Sequence, residues 1–521
     1  MNTCCVNPNA VEGILESYWI DSTPKTNYPS LKKDIQVDVA IIGGGITGIT
    51  CAFLLKKEGF KIALLEADNI ANGTSGHTTA KITSQHHLIY DKLINEFGKE
   101  KAGQYAEANE NSIRFIENLV KKYNIDCDYK HVPAYMYTQD KNYIKSLENE
   151  VKAAQSLGIK AEYLDNIPLP LPIESAVCFK DQAQFHPKKY LLSLADKIPG
   201  DGSYIFENTT IIDVESEDPC ILLSRNGKKV TSKKLIIASH FPCYDSLGLY
   251  FTRLKPDRSY VLALKIKEKF PEGTFINAES PGRSLRCQNH NREEIVLVGG
   301  EGHKTAHGEN PINHYNNLKS FSQNIFSVEK ILYQWSTQDY ITLDGVPYVG
   351  RLTSSSENIY TATGFGKWGM TNGTAAAILL KDLIMGHKNP WAEVYNPSRS
   401  ITLNSTKNFF VENFDVAKQL LQGKLSYASS GLKIEKGEGK VFSFNGNKYG
   451  AYKDEDGITH IVDITCTHIG CELVWNDAEK TWDCPCHGSR YSYEGDVVEG
   501  PSHRRLNHFK EKPNKPDPNI V

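Results

Sequence analysis

Cys466-Thr467-His468 and Cys484-Pro485-Cys486-His487 set two thiols and two imidazoles into one short stretch, with twelve residues between Cys471 and Cys484. The spacings C-x-H and C-x-x-H give each of two loops one sulfur and one nitrogen. Two of each suit a [2Fe–2S] centre in which two histidines replace two cysteines on one iron. The same four atoms could hold Zn²⁺ tetrahedrally, although C-x-H departs from the paired-cysteine spacing of zinc fingers.

A second constellation lies near the other end of the chain. The β-branched run 34–42 leads directly into Gly43-Gly44-Gly45-Ile46-Thr47-Gly48, followed by the apolar helical pattern Ile49–Leu55. A further strand, Lys61–Leu65, ends at Glu66. Strand, G-x-G-x-x-G, helix, strand and acid is an arrangement that binds a dinucleotide. Gly43, Gly45 and Gly48 permit the tight turn and the approach of backbone to a pyrophosphate on the helix N-terminus, and Glu66 accepts from ribose hydroxyls. An acid here, rather than an arginine, favours FAD or NAD over NADP.

Residues 429–513 resemble the Rieske iron–sulfur domain. The resemblance implies Cys466, His468, Cys484 and His487 as the metal ligands. Cys471 and Cys486 stand where the Rieske proteins of cytochrome bc complexes carry a disulfide. Ser489 and Tyr491 stand where that family has hydroxyls hydrogen-bonded to the cluster or its ligand sulfur. Such donors stabilise the reduced cluster, which implies the upper part of the Rieske potential range.

Ile70–Ala80 resembles the second flavin motif, G-A-S-G-R-N-x-G, of the D-amino-acid-oxidase-like (glycine/sarcosine oxidase) family. Gly73, Ser75 and Gly76 match, while His77, Thr78 and Ala80 replace Arg, Asn and Gly. In the dimethylglycine and sarcosine dehydrogenase branch a histidine at this position is bonded covalently to the flavin. His77 is therefore expected as either a covalent attachment or a polar neighbour of the ring. Asn358–Thr371 resembles the third flavin motif of the same family. A strand enters a turn at Gly364 and Gly366, and a helix starting with Gly369, Met370 and Thr371 points its amides at the isoalloxazine. The three motifs in this order imply FAD. In the same family a segment like Gln184–Pro187 introduces a helix, giving His186 a structural place. The strands Ser259–Lys267 and Glu294–Gly300 correspond to the family's substrate-facing sheet. Tyr260, Arg283 and Arg286, the arginines in a turn-rich segment, are candidate substrate contacts and equally candidate surface residues.

These positions need a scaffold, and 521 residues allow two to four domains. The expected fold is an α/β FAD-binding Rossmann-type domain with an antiparallel-sheet substrate domain, followed by an all-β Rieske domain. The divisions are an N-terminal extension (1–33), the FAD-dependent oxidoreductase (34–415), a linker (416–430), the Rieske domain (431–513) and a tail (514–521). A net charge of −3 gives no electrostatic case for nucleic acid or an anionic membrane. With no long apolar run and no basic-then-apolar start, no transmembrane segment or secretory signal is expected, and the location expected is cytoplasmic. Of the eight cysteines outside the cluster motif, the six internal ones read as inert thiols, and for Cys4 and Cys5 in the terminus no metal or redox role is expected.

The expected function is oxidation of a small amine or amino-acid-like substrate on FAD. Electrons then leave through the cluster to an unknown acceptor. The alternative is a redox sensor or electron-transfer adaptor without turnover. A Rieske oxygenase fits less well: its mononuclear iron needs two histidines and a carboxylate, and Gly500 sits where His503 and His508 would require the acid. No catalytic acid or base stands out.

Overall fold

Ile35–Ile42 turns apolar residues to both of its faces because it becomes an interior strand within the parallel part of a mixed eight-stranded sheet. Val39 and Ile41 enter one core, and Val37, Ala40 and Ile42 enter another. Ile62–Leu65 and Tyr204–Phe206 extend the sheet on one side, Lys229–Ile237 and Ile359–Thr363 on the other, all parallel. The computed structural model describes residues 13–245, 248–290, 293–308, 310–400, 403–425, 434–444 and 446–510.

A second, eight-stranded sheet runs in the order Val328–Thr342, Leu254–Ile266, Glu293–Lys304, Arg283–His290, Thr274–Asn277, Ala134–Thr138, Ser175–Phe179 and Ala161–Leu164. It is antiparallel except where Thr274–Asn277 runs parallel to Ala134–Thr138, so the substrate-side sheet is mixed rather than purely antiparallel. Its period-2 pattern separates two cores. Val261, Ala263, Tyr333 and Trp335 join the core shared with the parallel sheet, while Tyr260, Leu262 and Leu264 join one under the helix Pro311–Gln323.

The C-terminal unit consists of two four-stranded antiparallel sheets. One holds Gly439–Phe444, Asn447–Lys453, Thr459–Asp463 and His508–Lys510. The other holds Val474–Asn476, Thr481–Asp483, Arg490–Ser492 and Val497–Glu499. The ligand loops flank the second sheet.

The stretches expected as a linker and as an N-terminal extension both contribute packed structure among the described residues. Leu403–Leu425 is one long helix, and its Val416 and Leu420 lie against the core around Cys466 and Cys484. Within the N-terminal 33 residues, Trp19 and Leu31 are fully buried and Ile14 bridges to Tyr333 on the edge of the large sheet. Cys4, Cys5 and the 514–521 tail lie outside the described residues.

Candidate active site and metal centre

The turn after Ile35–Ile42 is fixed by steric contact. Gly43 has φ +105°, and a Cβ on Gly48 would stand 1.8 Å from the Gly43 carbonyl oxygen. The helix Ile46–Lys57 therefore starts directly against the strand end. Gly45 caps it without a side chain, and Ser75 Oγ accepts from Ile46 N at 3.0 Å. Thr47 Oγ1, at the same helix start, is buried without a hydrogen-bond partner and faces Gly373 of a later segment rather than the turn. Glu66 accepts from the amides of Gly44 (2.7 Å) and Asp68 (3.0 Å), and burial raises its carboxyl pKa. It thus braces the glycine turn as well as standing at the ribose position.

The second motif loop is tied down from several directions. Trp19 Nε1 donates to Thr78 O (2.6 Å) and Trp335 Nε1 to His77 O (2.8 Å). His77 Nδ1 lies 3.0 Å from Gly73 O, and Thr78 Oγ1 accepts from Ala80 N. Arg286 donates to Thr79 O, Ala80 O and Phe185 O and is fully buried. Arg286 and Arg283 lie on the strand Arg283–His290 rather than in a turn-rich segment. Arg286 is thus a brace behind the loop, and Arg283 is committed to Glu301 at 2.6 Å. Tyr260 faces away from this loop and bonds His303 Nε2 at 2.9 Å, so none of the three offers a free substrate contact. His186 caps the helix Pro187–Ala195.

The third motif closes on the first two. Gly364 and Gly366 have positive φ, and Gly369 opens the helix Gly369–Ile384 with Met370 buried beneath it. Thr371 Oγ1 donates to Thr83 O at 2.9 Å. Gly373 runs so close to the first helix that a Cβ would stand 2.9 Å from Thr47 Oγ1. Three segments, the third some 300 residues from the first two in sequence, thus meet around one helix start.

One residue the sequence did not single out is Lys81. Its Nζ donates to Thr79 Oγ1 (2.7 Å) and Ser284 Oγ (3.0 Å), between the motif loop and the mixed sheet. Burial, with Arg286 nearby, pushes its amine down to about 7. Only its position after the motif could have drawn attention to it.

At the other site Cys466 and Cys484 are buried and hydrogen-bonded to each other. That bond pulls Cys466 down to about 5 and pushes Cys484 up. Tyr491 Oη lies 3.4 Å from Cys466 Sγ, Ser489 also bonds that sulfur, and Ser502 N donates to Ser489 Oγ. The rings of His468 and His487 are 5.1 Å apart and nearly perpendicular. Burial lowers them to about 4 and about 3, leaving neutral imidazoles, and both Nδ1 atoms are buried without a partner. Two sulfurs and two unpaired imidazole nitrogens form a donor set that fits a two-histidine iron–sulfur cluster. Cys471 and Cys486 form a disulfide tying the two loops together.

The histidine edge of this site turns inward. Phe251 packs on both rings (6.2 and 5.7 Å) and Phe241 on His468 (6.1 Å). Tyr340 Oη donates to His487 O at 3.2 Å. Nearby, Arg258 is 1% exposed and reaches Glu499 (3.2 Å) and Glu479 (3.7 Å), while Arg490 pairs with Glu479 and with Asp483 (3.0 Å). Burial opposes the charge on Glu479, but Arg490 and Arg258 outweigh it and hold the carboxyl near 2.

Residues 38–383 match the family model of FAD dependent oxidoreductases (DAO). The chain belongs to this family. Residues 426–510 match the Rieske [2Fe-2S] domain, so this FAD dependent oxidoreductase carries a second redox unit, and its cofactors are FAD and a [2Fe–2S] cluster. YhfW of Bacillus subtilis (strain 168), named as a Rieske 2Fe-2S iron-sulfur protein, is 43% identical over 492 residues, covering 94% of this chain and 97% of its own. Gamma-glutamylputrescine oxidoreductase of Escherichia coli (strain K12) is 25% identical over 399 residues, 71% of this chain and 89% of its own. The solved glycine oxidase from Geobacillus kaustophilus superposes with a TM-score of 0.60 at 17% identity, covering 70% of this chain and 99% of its own, which is a likeness of fold. The protein is an FAD oxidoreductase of the amine and amino-acid oxidase type. Among the described residues, no helix is long and apolar enough to cross a membrane.

Proposed function

We propose that this oxidoreductase oxidises a small amine or amino-acid-like substrate and passes the electrons through the Rieske unit to an external acceptor. The observation that carries the relay is the inward histidine edge, with His487 2% exposed beneath Phe251 and Tyr340. An electron carrier placed to serve the flavin unit would face it in this way. The relative named gamma-glutamylputrescine oxidoreductase supports an amine as the substrate class.

Bound FAD supplies a two-electron oxidant for a carbon–hydrogen bond beside nitrogen, and the cluster a one-electron carrier. Gly43, Gly45 and Gly48 with Ser75 and Glu66 hold the dinucleotide, and Gly364, Gly366, Gly369, Met370 and Thr371 bring the positive end of a helix to its ring. His77 and Thr78 line the same loop. Cys466, His468, Cys484 and His487 hold the cluster, with Ser489 and Tyr491 bonding toward sulfur. The substrate must lose a proton from nitrogen as it becomes an imine. Lys81, whose amine bonds two hydroxyls among the described residues and is pushed down to about 7, is suited to take it.

We assign the protein to the cytoplasm, because Cys51, Cys127, Cys178 and Cys220 stay free and buried, while the Cys471–Cys486 disulfide is itself shielded from reductant. Anaerobic titration of the holoprotein with a panel of amines and amino acids tests the reading, with flavin and cluster absorbance followed separately. Flavin bleaching followed by cluster bleaching is expected. Flavin reduction that never reaches the cluster would refute the relay.

A further inference from the structure

We propose that Gln338 and Tyr340 bridge the two cofactor sites, and that Gln338 fixes the register in which they face each other. The inference rests on the relay reading above. Gln338 is fully buried on the strand Val328–Thr342. Its main-chain carbonyl accepts from Thr74 Oγ1, in the second flavin motif, at 3.2 Å. Its side chain leaves the strand toward the Rieske unit, where Nε2 donates to Gly488 O at 2.8 Å and to Tyr340 Oη at 3.1 Å. Tyr340 Oη donates in turn to His487 O. One residue thus bonds the flavin loop with its backbone and the cluster loop with its amide.

The close approach is built in at Gly488. Its φ is +74°, and a Cβ there would lie 2.7 Å from both amide atoms of Gln338 and from Pro256. Only glycine lets the cluster loop rest on this strand. The Gln338 amide is itself oriented, because Thr305 Oγ1 donates to Oε1 at 2.7 Å. A second connection runs alongside: Thr74 Oγ1 to His240 Nδ1 at 3.1 Å, the His240 ring to Tyr340 at 4.9 Å, and Tyr340 to Phe241 at 5.1 Å. Electronic coupling falls more slowly along covalent and hydrogen bonds than across open gaps, so this strand is the efficient crossing. Two electrons leave each substrate molecule, so each turnover needs two single crossings. Each is matched by discharge of one electron from the cluster to an external one-electron acceptor and release of one proton to solvent.

The test needs no known substrate. In the holoprotein, light with EDTA as sacrificial donor reduces the flavin, and freeze-quenched EPR follows the cluster. Gln338→Leu removes every side-chain hydrogen bond of that residue, including those to Gly488 and Tyr340, and Tyr340→Phe removes the hydroxyl alone. The expected result is cluster reduction slowed by about tenfold or more in Gln338→Leu and less in Tyr340→Phe, as for loss of a positioning contact. Flavin photoreduction and the cluster g values should stay as in the parent. Should Gln338→Leu fail to assemble its cluster, Tyr340→Phe alone decides. Parent-like transfer in the assembled variants overturns the bridge while leaving the relay standing. A parent protein that passes no electrons overturns both.

Discussion

Replacing Glu479 by Gln tests the strength of the ion network between the two units. Glu479 lies in the Rieske unit, contacts Arg490 of the same unit and stands 3.7 Å from Arg258 across the boundary. Its carboxyl is held near 2 against an ordinary 4.5. A gap of that size between folded and unfolded chains is worth about 3 kcal/mol at neutral pH. Because the folded value is the lower one, this stability is fully present above pH 4.5 and is lost as pH falls toward 2. Glu479→Gln should therefore cost the Rieske unit about 3 kcal/mol, in the range for breaking a buried ion pair from one side. Urea unfolding followed by the visible circular dichroism of the cluster reads that unit, while flavin fluorescence reads the other. The difference between parent and variant should stay constant from pH 8 to pH 6. Combining Glu479→Gln with Arg258→Leu should cost less than the two singly, since they share a network. A variant within about 1 kcal/mol of the parent, or a difference that grows as pH falls, would refute the reasoning.

Three further outcomes follow from the sites. Gly48→Ala drives a methyl into the Gly43 carbonyl, so FAD content, read as flavin absorbance per chain, should drop by about tenfold or more while cluster content stays. Cys471→Ser opens a loop spanning 15 residues and should cost the Rieske unit about 3 kcal/mol, checked by unfolding the parent with and without reductant. If Lys81 takes the substrate's proton, the rate of flavin reduction should rise with pH through about 7, as its amine becomes neutral, and Lys81→Met should be slow and flat. The same variant should gain stability at pH 7 and below, where the parent must bury a charge that the unfolded chain leaves in water, and the gain should fade toward pH 10.5.

The ligand loops were legible because their chemistry restricts residue type and spacing within one short stretch. The glycine turn at Gly43–Gly48 was legible for the same reason, since a turn this tight excludes a Cβ. Arg283 and Arg286 were misplaced because Arg-Ser-Leu-Arg-Cys-Gln is polar where a half-buried strand should alternate. The strand exists because Arg286 on one face finds the carbonyls of Thr79 and Ala80, and Arg283 on the other finds the carboxylate of Glu301. That compensation depends on partners far away in the sequence. Residues 416–425 read as a connection because a helix followed by small polar residues resembles one. What they cover, through Val416 and Leu420, is visible only once the cluster core is formed.

The boundary between the units was the least legible part, and its composition explains why. Gln338, Tyr340, Phe251 and Arg258 are ordinary residue types that acquire a role only through strand register and docking. An apolar contact of similar area would hold two domains together without burying Arg258, Glu479 and Arg490, and buried ion pairs of this kind add little net stability over such a contact. Apolar surfaces slide, however, whereas a guanidinium between two carboxylates and an amide against a glycine carbonyl each accept one placement. The Rieske unit is therefore held by contacts that specify position more than they add affinity. Such contacts suit an electron carrier that must present its histidine edge to one strand, rather than a head that swings between partners.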